Sequence, residues 1–225
     1  MKINELFSTI DWTEIFNATW ETIWVTAVSV IFTAIIGYFL GLILFQTSHS
    51  NKISARILNG IVSFLVNIFR SIPYIILIVI LIPVTNTLMH TIIGPSAALP
   101  SLIIAAAPFY ARIVEMSFRE IDTGIIEAAK AMGANQKTII FKVLLPESLP
   151  SLISGLTVTA ISLVGYTAMA GAIGAGGLGA LAYNNGFLQY NIAIIVIATV
   201  LIVLIVFAIQ WLGDFLTNKY DHRTE

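Results

Sequence analysis

The sequence predicts an all-α integral membrane protein of five transmembrane helices, with the N-terminus outside, the C-terminus in the cytoplasm and a helical cytoplasmic loop. Three observations predict this class. Of 225 residues, 58% are hydrophobic and only 10% are charged, whereas a soluble domain carries about 25% charged residues. The charges cluster and leave long apolar stretches, and Lys and Arg fall almost entirely in alternate loops. Much of the chain must therefore be surrounded by the lipid of a membrane.

Five stretches are apolar enough to cross the hydrocarbon core, which takes about 20 residues of helix. The last is the clearest, because it holds no charge from Ile192 to Leu212. The second is apolar except for Arg70, and the third is short and rich in alanine and proline. The predicted spans cover residues 20–45, 57–82, 95–112, 148–171 and 191–212.

The positions of Lys and Arg orient these spans. Of the 11 basic residues, nine fall in the loops and tail on one side, Lys2 falls on the other side, and Arg70 lies within a span. Basic residues concentrate on the cytoplasmic side of membrane proteins, which places the N-terminus outside. The predicted organisation is an extracytoplasmic segment 1–19, a membrane domain 20–215 with a cytoplasmic loop 119–147, and a cytoplasmic tail 216–225.

Small residues recur at close to four-residue spacing on two of the spans. Helices in lipid gain little from apolar contact alone, so small residues that allow close approach mark packing faces. We interpret both stripes as helix-packing faces rather than ligand sites. They consist of Thr22, Thr26, Thr33, Gly37 and Gly41 on the first span, and of Ser151, Gly155 and Thr159 on the fourth.

A polar line repeats every four residues along the second span, at Asn59, Ser63, Asn67 and Ser71. Arg70 lies beside this line. Lipid does not tolerate such a line, so it must face protein or a water-filled path. Pro73 lacks an N–H and leaves the carbonyl of Phe69 without its helical partner. Two interpretations stay open: Arg70 pins a kinked helix, or it lines a transport route.

The cytoplasmic loop is predicted to form two short helices, at about 123–132 and 135–144, with Gly133 ending the first. The first helix presents an apolar face of small residues that has no obvious partner within so small a protein. Such a face predicts either a helix that docks on another protein or a helix that lies flat on the membrane. The acidic residues nearby alternate with cations and predict a solvated face; they are Glu115, Glu120, Asp122 and Glu127.

The same loop resembles the conserved loop of ATP-binding-cassette importer permeases. Glu127-Ala128-Ala129 is followed after three residues by Gly133, and after nine more by Val143-Leu144-Leu145-Pro146. This sequence matches the family's EAA motif, with valine in place of isoleucine. The resemblance implies that the loop is a coupling helix that contacts a separate ATPase. The implied contact residues are Glu127, Ala128, Ala129, Met132, Gly133 and Ala134.

Three further segments are similar to the permeases of methionine importers, at 69–77, 106–112 and 163–179. The resemblance implies a bacterial cytoplasmic-membrane protein that works as two identical permeases with two ATPases and an extracytoplasmic substrate-binding lipoprotein. It implies a gating segment around Met169. Together with the polar line of the second span, this predicts a translocation path or gate at Met169, Tyr166, Arg70, Asn67 and Ser71. The glycines of the gate region are Gly171, Gly174, Gly176, Gly177 and Gly179.

The choice of methionine rests on that resemblance alone, and a permease for another small amino acid or peptide is the near alternative. A free amino acid carries an ammonium and a carboxylate, yet the predicted spans hold Arg70 and no Asp or Glu well inside. Specificity is therefore expected to lie mainly in the separate binding protein. A pore-forming channel without an ATPase is the rival from another class.

The sequence gives little support to a nucleotide-binding site, a metal site or a catalytic site on this chain. Gly174-x-Gly176-x-x-Gly179 spells a dinucleotide-binding pattern but lacks the strand and helix that such a site needs. There is no P-loop motif, so ATP and magnesium are expected on the partner ATPase and no cofactor on this chain. His49, His90 and His222 are isolated and predict no metal site. The chain holds no cysteine, and no catalytic constellation supports an enzyme. The net charge of −1 says nothing about nucleic acid, and no nucleic-acid partner is expected.

Overall fold

The apolar stretches fold into helices because, in lipid, a chain must satisfy its own backbone hydrogen bonds. The computed structural model describes residues 11–48, 50 and 52–221, and five of its helices are long and apolar enough to cross a membrane. No strand occurs in those ranges. The predicted all-α fold with five spans is confirmed, whereas the orientation of the termini stays a prediction. Lys2, His49, His222 and Arg223 lie outside the described residues.

The helices follow one another with short connections. They are α1 Trp12–Ser48, α2 Ile53–Ser71, α3 Tyr74–Ile80, α4 Ile82–Met89, α5 Pro95–Arg119, α6 Thr123–Ala131, α7 Gln136–Ile139, α8 Leu145–Ala170, α9 Gly177–Ala180 and α10 Ile192–Tyr220. Short π-helical segments join α7 to α8 at Ile140–Leu144, and flank α9 at Gly171–Ala175 and Leu181–Phe187. We call residues 119–147 the hairpin; the bundle end that carries it is the hairpin end, and the opposite end is the distal end.

The first helix begins earlier than the hydropathy predicts, at Trp12 rather than near residue 20. Ile15 and Ala18 are buried there against Leu178 and Ile194, so tertiary packing holds this turn helical although acidic residues interrupt its apolar pattern. The predicted extracytoplasmic segment 1–19 is therefore helical from Trp12 onward. At the other end of the chain, α10 continues to Tyr220, into the predicted tail.

The second predicted span, 57–82, is not one kinked helix but three helices, α2, α3 and α4. Ile72 is extended, with φ −84° and ψ 123°, because the ring of a proline disfavours helical backbone in the residue before it. The Pro73 carbonyl then starts α3 by accepting from the Leu77 N–H at 3.0 Å. The sequence predicts a kink at Pro73, and the structure shows a larger change there. The helix ends at Ser71, and a new helix begins at Tyr74.

Helix α1 packs most closely against α5 through the predicted stripe. Thr26, Thr33, Gly37 and Gly41 are all buried, and Gly37 lies against the ring of Tyr110. On α8, Gly155 lies against Ile113 and Thr159 is fully buried. Both stripes are packing faces, as predicted.

Gly41→Ala should destabilise the protein, because a methyl group there would lie 2.5 Å from the Ala111 carbonyl oxygen and 2.6 Å from Cβ of Val114. Overpacking of this kind costs about 1–3 kcal/mol. Gly60→Ala is the matched control, since nothing lies within 4 Å of its added methyl group and alanine favours a helix by about 1 kcal/mol. The measurement is the temperature at which half of the purified protein loses its monodisperse peak. Equal midpoints for the two variants would contradict the packing described.

Candidate functional site

Two side-chain caps and one glycine shape the hairpin. The Asp122 carboxylate accepts from the Gly124 N–H at 2.7 Å and starts α6, and the Asn135 side chain accepts from the Thr138 N–H at 2.9 Å and starts α7. Between them Gly133 has φ +81°, a conformation that glycine adopts without the steric cost of a Cβ atom. The first predicted helix and its end at Gly133 are confirmed. The second, predicted as a separate helix at 135–144, is instead the beginning of a longer one, because Gln136–Ile139 continues through Ile140–Leu144 into α8.

The apolar face of α6 does have a partner within the chain, contrary to the expectation from sequence. Ala129 is only 6% exposed and packs in a cluster that continues into the membrane. We call this cluster the hairpin core; its buried members are Tyr110, Val114, Phe118, Ile121, Ala129, Ile139, Ile140, Leu144 and Leu152. Because α7 and the π-helical segment after it supply this apolar floor, the face of α6 that contains Ala129 is not free for another protein.

The opposite face of α6 is open. Glu127, Ala128, Met132 and Gly133 are all exposed, and Met132 is 83% exposed. Ala128 and Met132 are four residues apart, so they lie on the same side of the helix. Of the six residues implied to contact an ATPase, Ala129 therefore faces inward, Ala134 is half-buried, and the other four form the accessible surface.

Glu115 is a second departure from the sequence prediction, which placed it on a solvated face. It lies on α5, which continues to Arg119 instead of ending near residue 112, and it is only 2% exposed. Its carboxylate accepts from the guanidinium groups of Arg112 and Arg119, the latter at 2.6 Å. A buried carboxylate is stable when paired in this way. Glu115 lies one turn before Phe118, and both Val114 and Phe118 are buried members of the hairpin core.

A cavity of 510 Å³ opens where the second span breaks. Its lining comes from α2, the break itself, α3, α5 and α8, and consists of Asn67, Phe69, Arg70, Ser71, Ile72, Tyr74, Ala105, Phe109 and Tyr166. Phe109 is about 21 Å along α5 from Pro95 and about 15 Å from Arg119, at 1.5 Å per residue. The cavity therefore lies at mid-height in the bundle.

Aromatic rings fix the geometry of this cavity. The rings of Tyr74 and Tyr166 stack with centroids 4.7 Å apart, and the Tyr74 hydroxyl lies 3.2 Å from that of Ser101. The Arg70 guanidinium carbon lies 5.9 Å from the centroid of Phe109. No hydrogen bond from Arg70 to the Phe69 carbonyl is found in the described ranges, so pinning of the kink through that carbonyl is not supported.

The structure thus brings together Asn67, Arg70, Ser71 and Tyr166, four of the five residues predicted for a path. Met169 does not line the cavity; it is exposed on α8, one turn beyond Tyr166, on the side that also exposes Val158 and Gly165. Phe109 was not assigned from the sequence. An aromatic residue just after Pro108 carries no periodic signal that distinguishes a cavity wall from a packing face.

The rest of the polar line has another role. The Asn59 side chain donates to the Leu44 carbonyl at 3.0 Å and to the Thr47 hydroxyl at 2.9 Å. These bonds tie α2 to the end of α1. The line is therefore divided: its first residue holds two helices together near the hairpin end, and its last two residues line the cavity.

The predicted gate-region glycines lie at the distal end, where residues 171–190 form short helical segments rather than an open loop. Gly171 and Gly179 are buried with no room for a side chain, because Gly171 contacts the Ala180 backbone and Gly179 the Ala168 backbone. Gly174, Gly176 and Gly177 have positive φ and turn the chain. Gly171 and Gly179 are therefore tightly packed, whereas Gly174 is half-buried and less closely packed. The assignment of these glycines to a gate stays a prediction.

Acidic and hydroxyl groups of α1 hold this distal segment in place. The Glu21 carboxylate accepts from the Gly177 N–H at 2.7 Å, and the Thr22 hydroxyl oxygen accepts from the Leu178 N–H at 2.9 Å. Asn185 donates to the Glu14 carboxylate at 2.8 Å. Thr22 therefore has two roles: it is buried in the packing face of α1, and its hydroxyl accepts a hydrogen bond from the first turn of α9. The four-residue spacing alone did not indicate the second role.

Comparison with known proteins gives a consistent result. Residues 52–222 match the family described as binding-protein-dependent transport system inner membrane component. The methionine import system permease protein MetP of Bacillus subtilis is 55% identical over 96% of this chain and 98% of its own length. The probable D-methionine transport system permease protein MetI of Vibrio cholerae is 42% identical over 93% of each chain.

Solved structures agree with the relatives. An inward-facing conformation of the MetNI methionine ABC transporter superposes with a TM-score of 0.90 at 45% identity, covering 94% of this chain and 98% of that one. An amino acid ABC transporter crystallised with histidines superposes with a TM-score of 0.68 at 19% identity, over 94% of this chain and 99% of that one. At that identity the second likeness concerns the fold alone.

Proposed function

Because the chain belongs to the family of binding-protein-dependent transport system inner membrane components, we propose that it is the permease subunit of an ATP-driven methionine importer. Relatives described as methionine permeases match it along nearly its whole length. The observation that carries the proposal is the hairpin, whose EAA sequence leaves one face of α6 exposed while the other is fixed in the hairpin core. The chain supplies the passage, and a separate subunit hydrolyses ATP.

The proposed assembly contains two copies of this chain, two ATPase subunits and an extracytoplasmic substrate-binding lipoprotein in a lipid bilayer. Five spans are few to enclose a path, which favours a dimer with the route near its axis. An unpartnered face of α8 supports this arrangement: Val158, Gly165 and Met169 are exposed at helical spacing, and a methyl group added at Gly165 would meet nothing within 4 Å. The N-terminus and the distal end face outward in this arrangement, and the hairpin faces the cytoplasm.

Coupling follows from how the hairpin is attached. An ATPase that moves α6 moves the hairpin core with it, because Ala129 and Phe118 are buried in one cluster with Tyr110 and Leu152. Tyr110 lies on α5 beside Phe109, and the Tyr110 hydroxyl donates to the Leu152 carbonyl of α8 at 3.2 Å. Motion at the hairpin is thus passed to α5 and α8, two of the helices that line the cavity, and the path shifts between two packings.

The test is reconstitution of this chain with the ATPase and the substrate-binding protein of the proposed assembly. The permease should co-purify with the ATPase, and vesicles holding the complex should accumulate labelled methionine only when ATP and the binding protein are supplied. An ATPase with its P-loop lysine replaced is the control for hydrolysis. Uptake that proceeds without ATP would favour a pore, and a failure to co-purify would overturn the proposal.

A further inference from the structure

A second cavity, larger than the one at the break in the second span, opens at the hairpin end. It encloses 830 Å³. Its walls are the end of α1 with the connection to α2, the end of α5, helix α6, and the chain from α7 through Leu144. We call it the hairpin cavity. Transport as proposed above makes no use of it, because it lies away from the mid-height path and shares only Glu127 with the exposed contact face of α6.

The charged groups of the hairpin cavity are mainly basic. Lys52, Arg119 and Lys130 line it together with one acid, Glu127. Within residues 11–48, 50 and 52–221 the two lysine side chains make no ion pair and no hydrogen bond, so both ammonium groups are available. The Arg119 guanidinium binds the Glu115 carboxylate through one nitrogen at 2.6 Å, which leaves further N–H donors. The hairpin cavity therefore suits an anion.

The floor of the hairpin cavity is apolar. It is formed by side chains of the hairpin core, among them Phe118, Ile121 and Leu144, which are buried. The Phe45 ring at the end of α1 packs edge-on against that of Phe118, with centroids 5.5 Å apart. A small inorganic anion gains nothing from such a surface. A lipid gains free energy there, because the glycerol end of its acyl chains is removed from water.

The hairpin cavity lies at the level where the lipid-facing surface of the bundle becomes polar. On α1, Phe39 and Ile43 are exposed apolar residues, and Gln46 begins the polar end of the helix. On α5, Met116 is exposed one turn before Arg119. Such a change from apolar to polar surface marks the level of the lipid headgroups. Basic pockets between helices at this level bind the headgroups of anionic lipids.

We propose that the hairpin cavity binds the headgroup of an anionic phospholipid, with its phosphate held by Lys52, Arg119 and Lys130 and the start of its acyl chains against Phe118. This inference goes beyond the proposed function and does not depend on it. A zwitterionic lipid fits less well, because its ammonium meets the same basic groups. Since Lys130 belongs to α6 and Lys52 to the connection between α1 and α2, the bound lipid joins the hairpin to the first two helices.

The experiment titrates the purified full-length permease with dioleoylphosphatidylglycerol and measures the bound lipid by native mass spectrometry. Lys52→Gln with Lys130→Gln should weaken binding of the first lipid about 30-fold, because each basic group near a lipid headgroup contributes about fivefold. Lys137→Gln with Lys142→Gln is the matched control. It removes the same charge from exposed positions on the hairpin that do not line the cavity, and it should leave the dissociation constant unchanged.

Glu127→Gln provides a change of the opposite sign. It removes the acid of the lining and should tighten binding of the same lipid about fivefold. All five replaced side chains are exposed, so the variants should fold as the wild type does. Equal dissociation constants for wild type and Lys52→Gln with Lys130→Gln would overturn the site.

The choice of ligand distinguishes a lipid from a free phosphate. Dioleoylphosphatidylethanolamine should bind the wild type at least about fivefold more weakly than dioleoylphosphatidylglycerol, and glycerol 3-phosphate in large excess should not displace the bound lipid. Equal affinity for the two lipids would overturn the proposal, as would displacement by glycerol 3-phosphate, which would assign the cavity to a soluble phosphate.

Discussion

Replacing Ala128 with arginine should abolish ATP-dependent methionine uptake and weaken ATPase binding by more than about a hundredfold, while the permease stays folded. Ala128 lies on the exposed face of α6 with Met132, and none of the residues that the structure describes covers that face. A guanidinium there would be carried into the docked surface without a counterion, which costs about 3–5 kcal/mol. The measurements are the fraction of ATPase retained on the immobilised permease and uptake by reconstituted vesicles.

Two further variants make this prediction specific. Ser54→Arg adds the same charge at the hairpin end but on α2, where Ser54 is exposed, and it should leave ATPase binding intact. Ala129→Arg should instead lower the yield of folded permease, because residue 129 is buried in the hairpin core. Normal retention of the ATPase by Ala128→Arg would remove the exposed face of α6 from the docking surface.

Removing both partners of Glu115 should be the most destabilising change within the bundle. In Arg112→Gln with Arg119→Gln, a carboxylate that is 2% exposed would lose both guanidinium groups, and an uncompensated buried charge costs about 3–5 kcal/mol. Either single replacement should cost less, because the other arginine remains. The loss should appear as a lower midpoint of thermal aggregation of the purified permease.

The control for this prediction is the triple variant that adds Glu115→Gln. A neutral amide needs no counterion, so the triple variant should regain part of the lost thermal midpoint. If the triple variant were as unstable as the double one, the loss would come from missing arginine packing, since arginine stems also cover apolar surface.

Composition and local caps were sufficient to predict most of the architecture. The five spans follow from hydropathy, because a charge-free stretch has no other stable environment. The hairpin follows in part from a local signal, since Gly133 ends its first helix. Asp122 and Asn135 begin its helices in the structure, but they were not assigned as caps from the sequence. Features of this kind depend only on residues that are close together in the chain, so they can be predicted from one sequence.

The features that could not be predicted depend on partners distant in sequence. Glu115 was placed in solvent because its charge suggests exposure, and only the fold shows the two arginines that surround it. Residues 171–190 were placed in a loop because they carry few helix signals, yet contacts from α1 hold them in helical segments. The cavity was predicted in part: the four-residue spacing brought Asn67 and Ser71 together, but no local pattern points to Phe109 on α5.

The bonds between α1 and the distal segment bear on how the chain is made. Glu21 and Gly177 are 156 positions apart, and Glu14 and Asn185 are 171 apart. During translation the two acidic residues are made early, and the residues that donate hydrogen bonds to them are made much later. Helix α1 is therefore synthesised long before these hydrogen bonds can form. Glu14 and Glu21 can accept them only after residues 177–185 have been made, shortly before the last span is inserted. Nascent chains that stop before residue 177 would therefore lack the hydrogen bonds that join the distal end of α1 to residues 171–190.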